Sequence, residues 1–190
     1  MGDTVVTILA IVLAAVLMFI FPLMSVADRS DDVSQLSVQN STTTFVDNIR
    51  STGRITLADY NKFAQEINAT GNTYDIEIEV KVLDENPGKK TAQTAYEKIG
   101  ENVYYTEYTT QIMEDLNDAS NNNTKYLKEG DIVSVSVKNT NTTISQLLRN
   151  FFYRVTGNDS STIGASNGGI VTVNGRSEER RVGKECRSRW

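Results

Sequence analysis

The sequence predicts an α+β protein, in which a long N-terminal transmembrane and stalk helix precedes a small head with an antiparallel sheet and two or three short helices. Three observations predict this class. The chain holds one long uncharged apolar run, Val5–Met24. It also holds one strand pattern with strict apolar and polar alternation over 74–82. Several short amphipathic helical patterns lie around that strand.

The apolar run is the first element. Val5–Met24 has twenty residues with one Thr, one Pro and no charge, bounded by Asp3 and Asp28. A helix of this length spans a hydrocarbon core of roughly 30 Å. We therefore expect residues 1–27 to be a single-pass transmembrane anchor. A cleaved signal peptide is the alternative because Ser25–Ala27 fits a cleavage site, although the leader has no Lys or Arg and the run is longer than about 15 residues.

Ala10, Ala14 and Pro22 are the positions within the span that we predict to act in helix packing. Small side chains at Ala10, Ala14 and Ala15 let another helix approach closely. Pro22 lies near the end of the span, where a kink or a local break is tolerated. Ordinary lipid-facing residues are the alternative interpretation of the three Ala positions.

Residues 28–52 are predicted to continue the helix outward as a stalk. No Gly or Pro occurs from Asp28 to Arg50, and Ser51-Thr52-Gly53 is a natural end. A sparse apolar stripe marks the side expected to pack: Val33, Leu36, Phe45, Val46 and Ile49.

Residues 53–175 are predicted to form the α+β head. Thr56–Asp59 has the pattern of a capping box, and the helix that it starts is expected to stop before Gly71. The strand over 74–82 alternates apolar residues with acids and Lys81, which is typical of a half-buried strand in an antiparallel sheet. Asn86–Gly88 breaks it, and a polar loop follows over 89–102.

The rest of the head is predicted from shorter patterns. A strand is expected over Val103–Tyr108, a helix over Gln111–Asn117, an Asn-rich loop over Asp118–Thr124 and a strand over Ile132–Val137. An amphipathic helix capped at Thr142 or Thr143 comes next, with these apolar positions: Ile144, Leu147, Leu148, Phe151, Phe152 and Val155. Two closing strands, Thr162–Ala165 and Ile170–Val173, are expected around Gly168 and Gly169.

Residue chemistry argues against an enzyme. The chain has no His, and its single Cys is Cys186, so Ser–His and Cys–His nucleophile pairs are excluded. We predict no cofactor, no metal and no small-molecule substrate. Asp75, Glu77 and Glu79 could form an acid–base pair, but a solvated strand face is the better interpretation. Asp118–Glu129 fits a calcium loop in part, but it lacks the turn Gly, so a plain polar loop is favoured.

Residues 176–190 differ in character from the rest and resemble the in-frame translation of a sequencing adapter, so they are not expected to form part of the fold. Six of the 19 basic and three of the 24 acidic residues lie in this tail, which leaves a net charge of −8 before it. An acidic chain without a basic cluster is not expected to bind nucleic acid.

The plan as a whole resembles TadE-like and other pilin-like proteins of the tight-adherence (Flp-type) pilus systems of Gram-positive bacteria. The segments that carry the resemblance are 45–80 and 144–159. The resemblance implies a non-enzymatic minor pilin, or a pilus or secretion-apparatus assembly component, that packs through its N-terminal helix against other pilin-like subunits. It also implies a cell-membrane location with the head extracytoplasmic. Type IV prepilins carry Glu where this chain has Thr7, five residues after Gly2.

Two other classes stay open at the level of sequence. One is a membrane-tethered binding module, such as a sensor or adhesin head. The other is a secreted form of such a module, with residues 1–27 as its signal peptide.

Overall fold

The structure is a computed structural model that describes residues 2–83, 104–147, 150 and 162–175. It confirms the predicted α+β class. The elements in chain order are α1 Gly2–Thr52, β1 Arg54–Thr56, α2 Leu57–Asn68, β2 Tyr74–Leu83, β3 Tyr104–Tyr108, α3 Thr109–Asn117, a 3-10 helix Ala119–Asn121, β4 Thr124–Tyr126, β5 Ile132–Asn139 and β6 Gly164–Ile170. Residues 144–147 begin a further helical segment.

Helix α1 joins the predicted anchor and stalk in one continuous helix. It runs through Pro22 without interruption and ends where the sequence predicts. Gly53 follows with φ of 66°, and its N–H donates to the carbonyl of Ile49 at 2.8 Å. A Cβ at Gly53 would lie 2.2 Å from the carbonyl oxygen of Val173, so this close turn requires glycine.

The main sheet has four strands in the order β3-β2-β5-β6, and every pair in it is antiparallel. Strand β2 is central, with Ile78 opposite Val135 and Val80 opposite Val133. Its side chains Tyr74, Ile78 and Val80 are buried on one face, whereas Asp75 is exposed on the other face. The predicted half-buried strand is therefore confirmed.

A second, two-stranded sheet pairs β1 with β4. Sequence patterns did not predict it, because strands of three residues carry too little periodicity. Between its strands in the sequence, α2 starts at Thr56 as predicted: the Thr56 hydroxyl accepts from the N–H of Asp59 at 3.1 Å and donates to the Asp59 carboxylate at 2.7 Å.

The core lies between the inner face of the main sheet and the helices α1, α2 and α3. From α1, the C-terminal half contributes the buried residues Val38, Phe45, Val46 and Ile49. Phe45 stacks on Phe63 of α2 with ring centroids 4.5 Å apart. The sheet contributes Ile78, Val80, Val133, Val135 and Val137, and α3 contributes Ile112 and Leu116.

Two predictions for the end of the head need correction. The expected pair of closing strands is one strand, β6, which contains Gly168 and Gly169. The reason is close backbone approach: a Cβ at Gly168 would lie 2.9 Å from the carbonyl oxygen of Val133. The late helix does begin at 144, but Ile144 and Leu147 are exposed, so the described part of its apolar face is not packed.

Several predictions fall outside the described residues. They are the chain break over 86–88, the loop over 89–102, the apolar positions Leu148, Phe151, Phe152 and Val155 of the late helix, and the tail over 176–190.

Candidate functional site

The N-terminal half of α1 is the most unusual surface of the molecule. Its large apolar side chains project from a helix that no other described element covers, and Phe19 is 77% exposed. Among the described residues, α1 is the one helix long and apolar enough to cross a membrane. The length and composition expected of a membrane span are therefore present on a bare helix.

Two of the three predicted packing residues lie together on this surface. Ala10 and Ala14 are one helical turn apart, and both are exposed. Pro22 is eight residues beyond Ala14, which places it about a quarter of a turn around the helix. The structure therefore brings Ala10 and Ala14 onto one side and places Pro22 on another.

The C-terminal half of α1 is fixed to the head by polar contacts with β6 and with the segment that follows it. The Gln35 side chain donates to the carbonyl of Gly164 at 2.5 Å and accepts from its N–H at 2.9 Å, as a neighbouring strand would. Arg50 Nε donates to the carbonyl of Ile170 at 3.1 Å. The carbonyl of Arg50 accepts from both the N–H and the hydroxyl of Thr172.

These anchoring residues were not singled out from the sequence. Gln35 and Gly164 are separated by 129 positions, and Arg50 and Ile170 by 120. Neither pair has a local signal, because a Gln or Arg on a polar helix is normally a solvated residue. The absence of Gly and Pro from the stalk was the nearest sequence indication that a rigid element would run along the head.

Acids near the start of the stalk hold the beginning of the late helix. Asp31 accepts from the Thr143 hydroxyl at 2.7 Å, and Asp28 accepts from the Ser145 hydroxyl. Together with Asp32 they line a small cavity. Within the described residues there is no group of three His, Cys, Asp or Glu side chains able to hold a metal ion. The hydrogen bonds of Asp28 and Asp31 fix the start of the stalk to the head.

An ion-pair cluster links three elements at the other end of the head. Lys125 Nζ lies 2.7 Å from Glu107 Oε2 and 2.5 Å from Asp115 Oδ2. Burial disfavours the charged amine and lowers its pKa, but the hydrogen bonds and negative charges of Asp115 and Glu107 outweigh burial, so the pKa of Lys125 is raised overall. The cluster holds Lys125 as a cation and ties β4 to β3 and α3.

The acids of β2 lie on the outer face of the sheet. Asp75 and Glu77 are exposed, and Glu79 forms an ion pair with Lys81 at 3.7 Å. They border a shallow groove of about 460 Å³ next to Ser134 and Ser136. The exposure of Asp75 and Glu77 agrees with a solvated strand face.

The loop considered as a calcium site uses its first acid for a local turn. Asp118 Oδ1 accepts from the N–H of Ser120 at 2.9 Å. A hydrogen bond from the Ser120 side chain, together with this backbone hydrogen bond, lowers the pKa of Asp118. Asn122 and Asn123 adopt left-handed backbone angles with φ of 55° and 53°. Asn123 also donates to the carbonyl of Leu116 at 2.8 Å. These contacts support the plain polar loop that the sequence favours.

Comparison with known proteins adds no assignment. No family model, no curated protein and no solved structure matches the chain. Two features of the chain bear on its function: the exposed apolar half of α1 and the attachment of the other half of α1 to the head.

Proposed function

We propose that this protein is a structural, non-enzymatic component of the bacterial envelope. In this proposal residues 1–27 anchor it in the cell membrane in a single pass, and the head lies outside the cytoplasm. Its role is that of a TadE-like minor pilin or of a pilus or secretion-apparatus assembly component. Its partners are other pilin-like subunits that pack against the N-terminal helix.

One observation carries this proposal: a single helix is bare and apolar over its first half and built into a folded head over its second half. Apolar side chains of this size are stable only in lipid or against other apolar surfaces. Because α1 is continuous to Thr52, a partner that binds the bare half acts on a rigid extension of the head. This mechanical connection is what an assembling envelope subunit needs.

The location is tested by fractionating intact cells. Cells are sheared, and peptides of this chain are measured by mass spectrometry in filament and membrane fractions. A pilus subunit is recovered in the sheared filaments, and an assembly component stays in the membrane and resists carbonate extraction. Recovery of a soluble chain that begins at Asp28 would overturn the anchor and favour the secreted alternative.

The packing role of the span is tested at Ala14. Ala14→Leu adds bulk on the side that holds Ala10 and is expected to reduce recovery of the chain in assembled complexes at least five-fold, because the close helix approach is blocked. Leu13→Phe, which adds bulk at an exposed position about 100° around α1 from Ala14, is the matched control and is expected to assemble normally. Both variants should insert in the membrane. Normal assembly of Ala14→Leu would remove Ala10 and Ala14 from the proposal.

A further inference from the structure

A row of exposed, uncharged residues extends the bare surface of α1 into the stalk. Val26, Ser30, Val33 and Ser37 follow one another at steps of four, three and four residues, and we call these four residues the stalk seam. Val26 and Val33 are each 67% exposed, and the neighbouring Leu36 is 68% exposed. Steps of three and four residues keep side chains on one side of a helix, so the stalk seam is one continuous stripe.

The head does not cover this stripe. The stalk residues buried against the head include Ser34, Val38 and Phe45, which lie roughly a third of a turn around α1 from the stalk seam. The four residues of the stalk seam line a groove of about 600 Å³ together with Glu66 of α2 and with Ala69 and Thr70 just beyond it. An elongated partner thus has space to lie along the stalk.

Lipid does not reach the outer part of the stripe either. Val33 is nine residues beyond Met24, which is roughly 13 Å along a helix, and Leu36 is roughly 18 Å beyond it. The headgroup layer on each side of a bilayer is only about 5–8 Å thick. In an isolated, membrane-anchored chain, Val33 and Leu36 would therefore face water.

The distribution of charge favours an identical partner on this side. Repulsion between two acidic copies disfavours contact through their acidic faces. In the stalk, however, Asp28 and Asp31 are turned toward the head, where they accept hydrogen bonds from Ser145 and Thr143. The groove beside the stalk seam carries one positive charge, Arg29, and one negative charge from α2, Glu66.

We propose that the stalk seam packs against the stalk seam of a second copy of this chain. The proposal rests on the membrane anchor proposed above, because two copies inserted in the same direction are parallel and lie at the same depth. Val26 then meets its own counterpart, and so does Val33, in the alternating three- and four-residue pattern of a parallel two-stranded coiled coil. The small Ser30 and Ser37 allow close approach, and Arg29 faces Glu66 of the partner subunit.

The same spacing continues upstream through Val12, Val16, Phe19 and Leu23. It lies on a different side of α1 from Ala10 and Ala14. The dimer contact and the contact proposed for Ala14 therefore use separate surfaces, and a dimer leaves the Ala10 side open to other subunits.

The test is a cysteine cross-linking scan of the full chain in lipid vesicles. Cys186 is replaced by Ser, single cysteines are placed at positions 26, 30, 33 and 37, and Gln39→Cys is the control because Gln39 is exposed at a similar height on another side of α1. After mild oxidation, disulfide-linked dimer at Val26→Cys and Val33→Cys is expected to exceed that at Gln39→Cys at least five-fold. A flat profile, no dimer, or a maximum at Gln39→Cys would overturn the proposal.

A second variant separates packing from chance collision. Val33→Asp is expected to reduce the Val26→Cys dimer at least five-fold, since two carboxylates would face each other, whereas Gln39→Asp should leave it unchanged. Equal effects of the two variants would contradict the stalk seam. Carbonate extraction of the same vesicles tests the membrane anchor separately. Release of the chain would contradict the proposed anchor. Retention of the chain with a flat cross-linking profile would contradict only the proposed dimer.

Discussion

The two halves of α1 have the same secondary structure but opposite surroundings. Phe21 in the N-terminal half is 62% exposed, whereas Phe45 in the C-terminal half is 5% exposed and stacks on Phe63. Full burial of a side chain of this size contributes about 1.5–3 kcal/mol. The C-terminal half obtains this stabilisation inside the chain, whereas no other described element covers the apolar side chains of the N-terminal half. Helical structure alone therefore does not distinguish the two halves of α1. They differ in the surfaces that their side chains contact.

The largest loss of stability is expected from a substitution in the C-terminal half of α1. Phe45→Ala leaves a cavity between α1 and α2 and is expected to lower the free energy of unfolding of the head by about 3–5 kcal/mol. Urea denaturation in detergent, followed by circular dichroism, measures it. Phe21→Ala removes the same side chain from the bare half and is expected to change head stability by less than about 0.5 kcal/mol. Equal destabilisation by the two variants would contradict the division of α1 into a bare and a docked half.

A medium effect is expected at the contact between α1 and β6. Gln35→Ala removes both hydrogen bonds to Gly164 and is expected to cost about 1–2 kcal/mol. Gln39→Ala, four residues further on an exposed side of the stalk, is the control and should be close to neutral. The same denaturation experiment compares them. If Gln35→Ala is as neutral as Gln39→Ala, the side chain does not hold the stalk to the sheet.

The smallest effect is expected at Lys125, which lies in the head and not on α1. It therefore serves as a reference for substitutions in either half of α1. The pKa of Lys125 is raised above its ordinary value of 10.5, so the folded state binds this proton more tightly than the unfolded state. Its stabilisation is complete below about pH 10.5 and is lost as pH rises through the raised pKa. We expect Lys125→Met to cost about 1 kcal/mol at pH 8 and less above pH 10.5.

Tyr60 titrates in the same pH range and must be removed from that measurement. Burial, together with the charge of Asp75, raises the pKa of Tyr60, so its stabilisation is also lost as pH rises through that pKa. The Lys125 comparison is therefore made in a Tyr60→Phe background by thermal denaturation at pH 8 and above pH 10.5. A cost of Lys125→Met that does not shrink at high pH would contradict the role of the ion pairs.

Local patterns in the sequence predicted the elements whose signal is strong and short in range. The stalk end at Gly53, the cap at Thr56 and the alternation of β2 all follow from residue type and spacing within a few positions. The stalk was predicted to pack through five apolar residues, and three of them, Phe45, Val46 and Ile49, are buried. The other two, Val33 and Leu36, are exposed. Periodicity shows that a helix has an apolar side, but it does not show how much of that side the rest of the protein covers.

The features that sequence reasoning missed depend on distant residues. Strand β6 is rich in glycine and has low strand propensity, yet it forms because β5 offers backbone partners on one edge and Gln35 and Arg50 offer side-chain partners on the other. Strands β1 and β4 are too short to be recognised singly and exist as a pair. Within the span, Ala10 and Ala14 lie on one side of α1, and Pro22 lies on another.

By itself, the sequence determined that an uncharged span of membrane length precedes an α+β head, because hydropathy and alternation act locally along the chain. Only the tertiary structure decided which side of the stalk the head covers, and hence that Val26 and Val33 remain exposed beside a groove. That decision comes from contacts between residues more than 100 positions apart, such as Gln35 with Gly164, whose free energy depends on the folded arrangement and not on either residue alone.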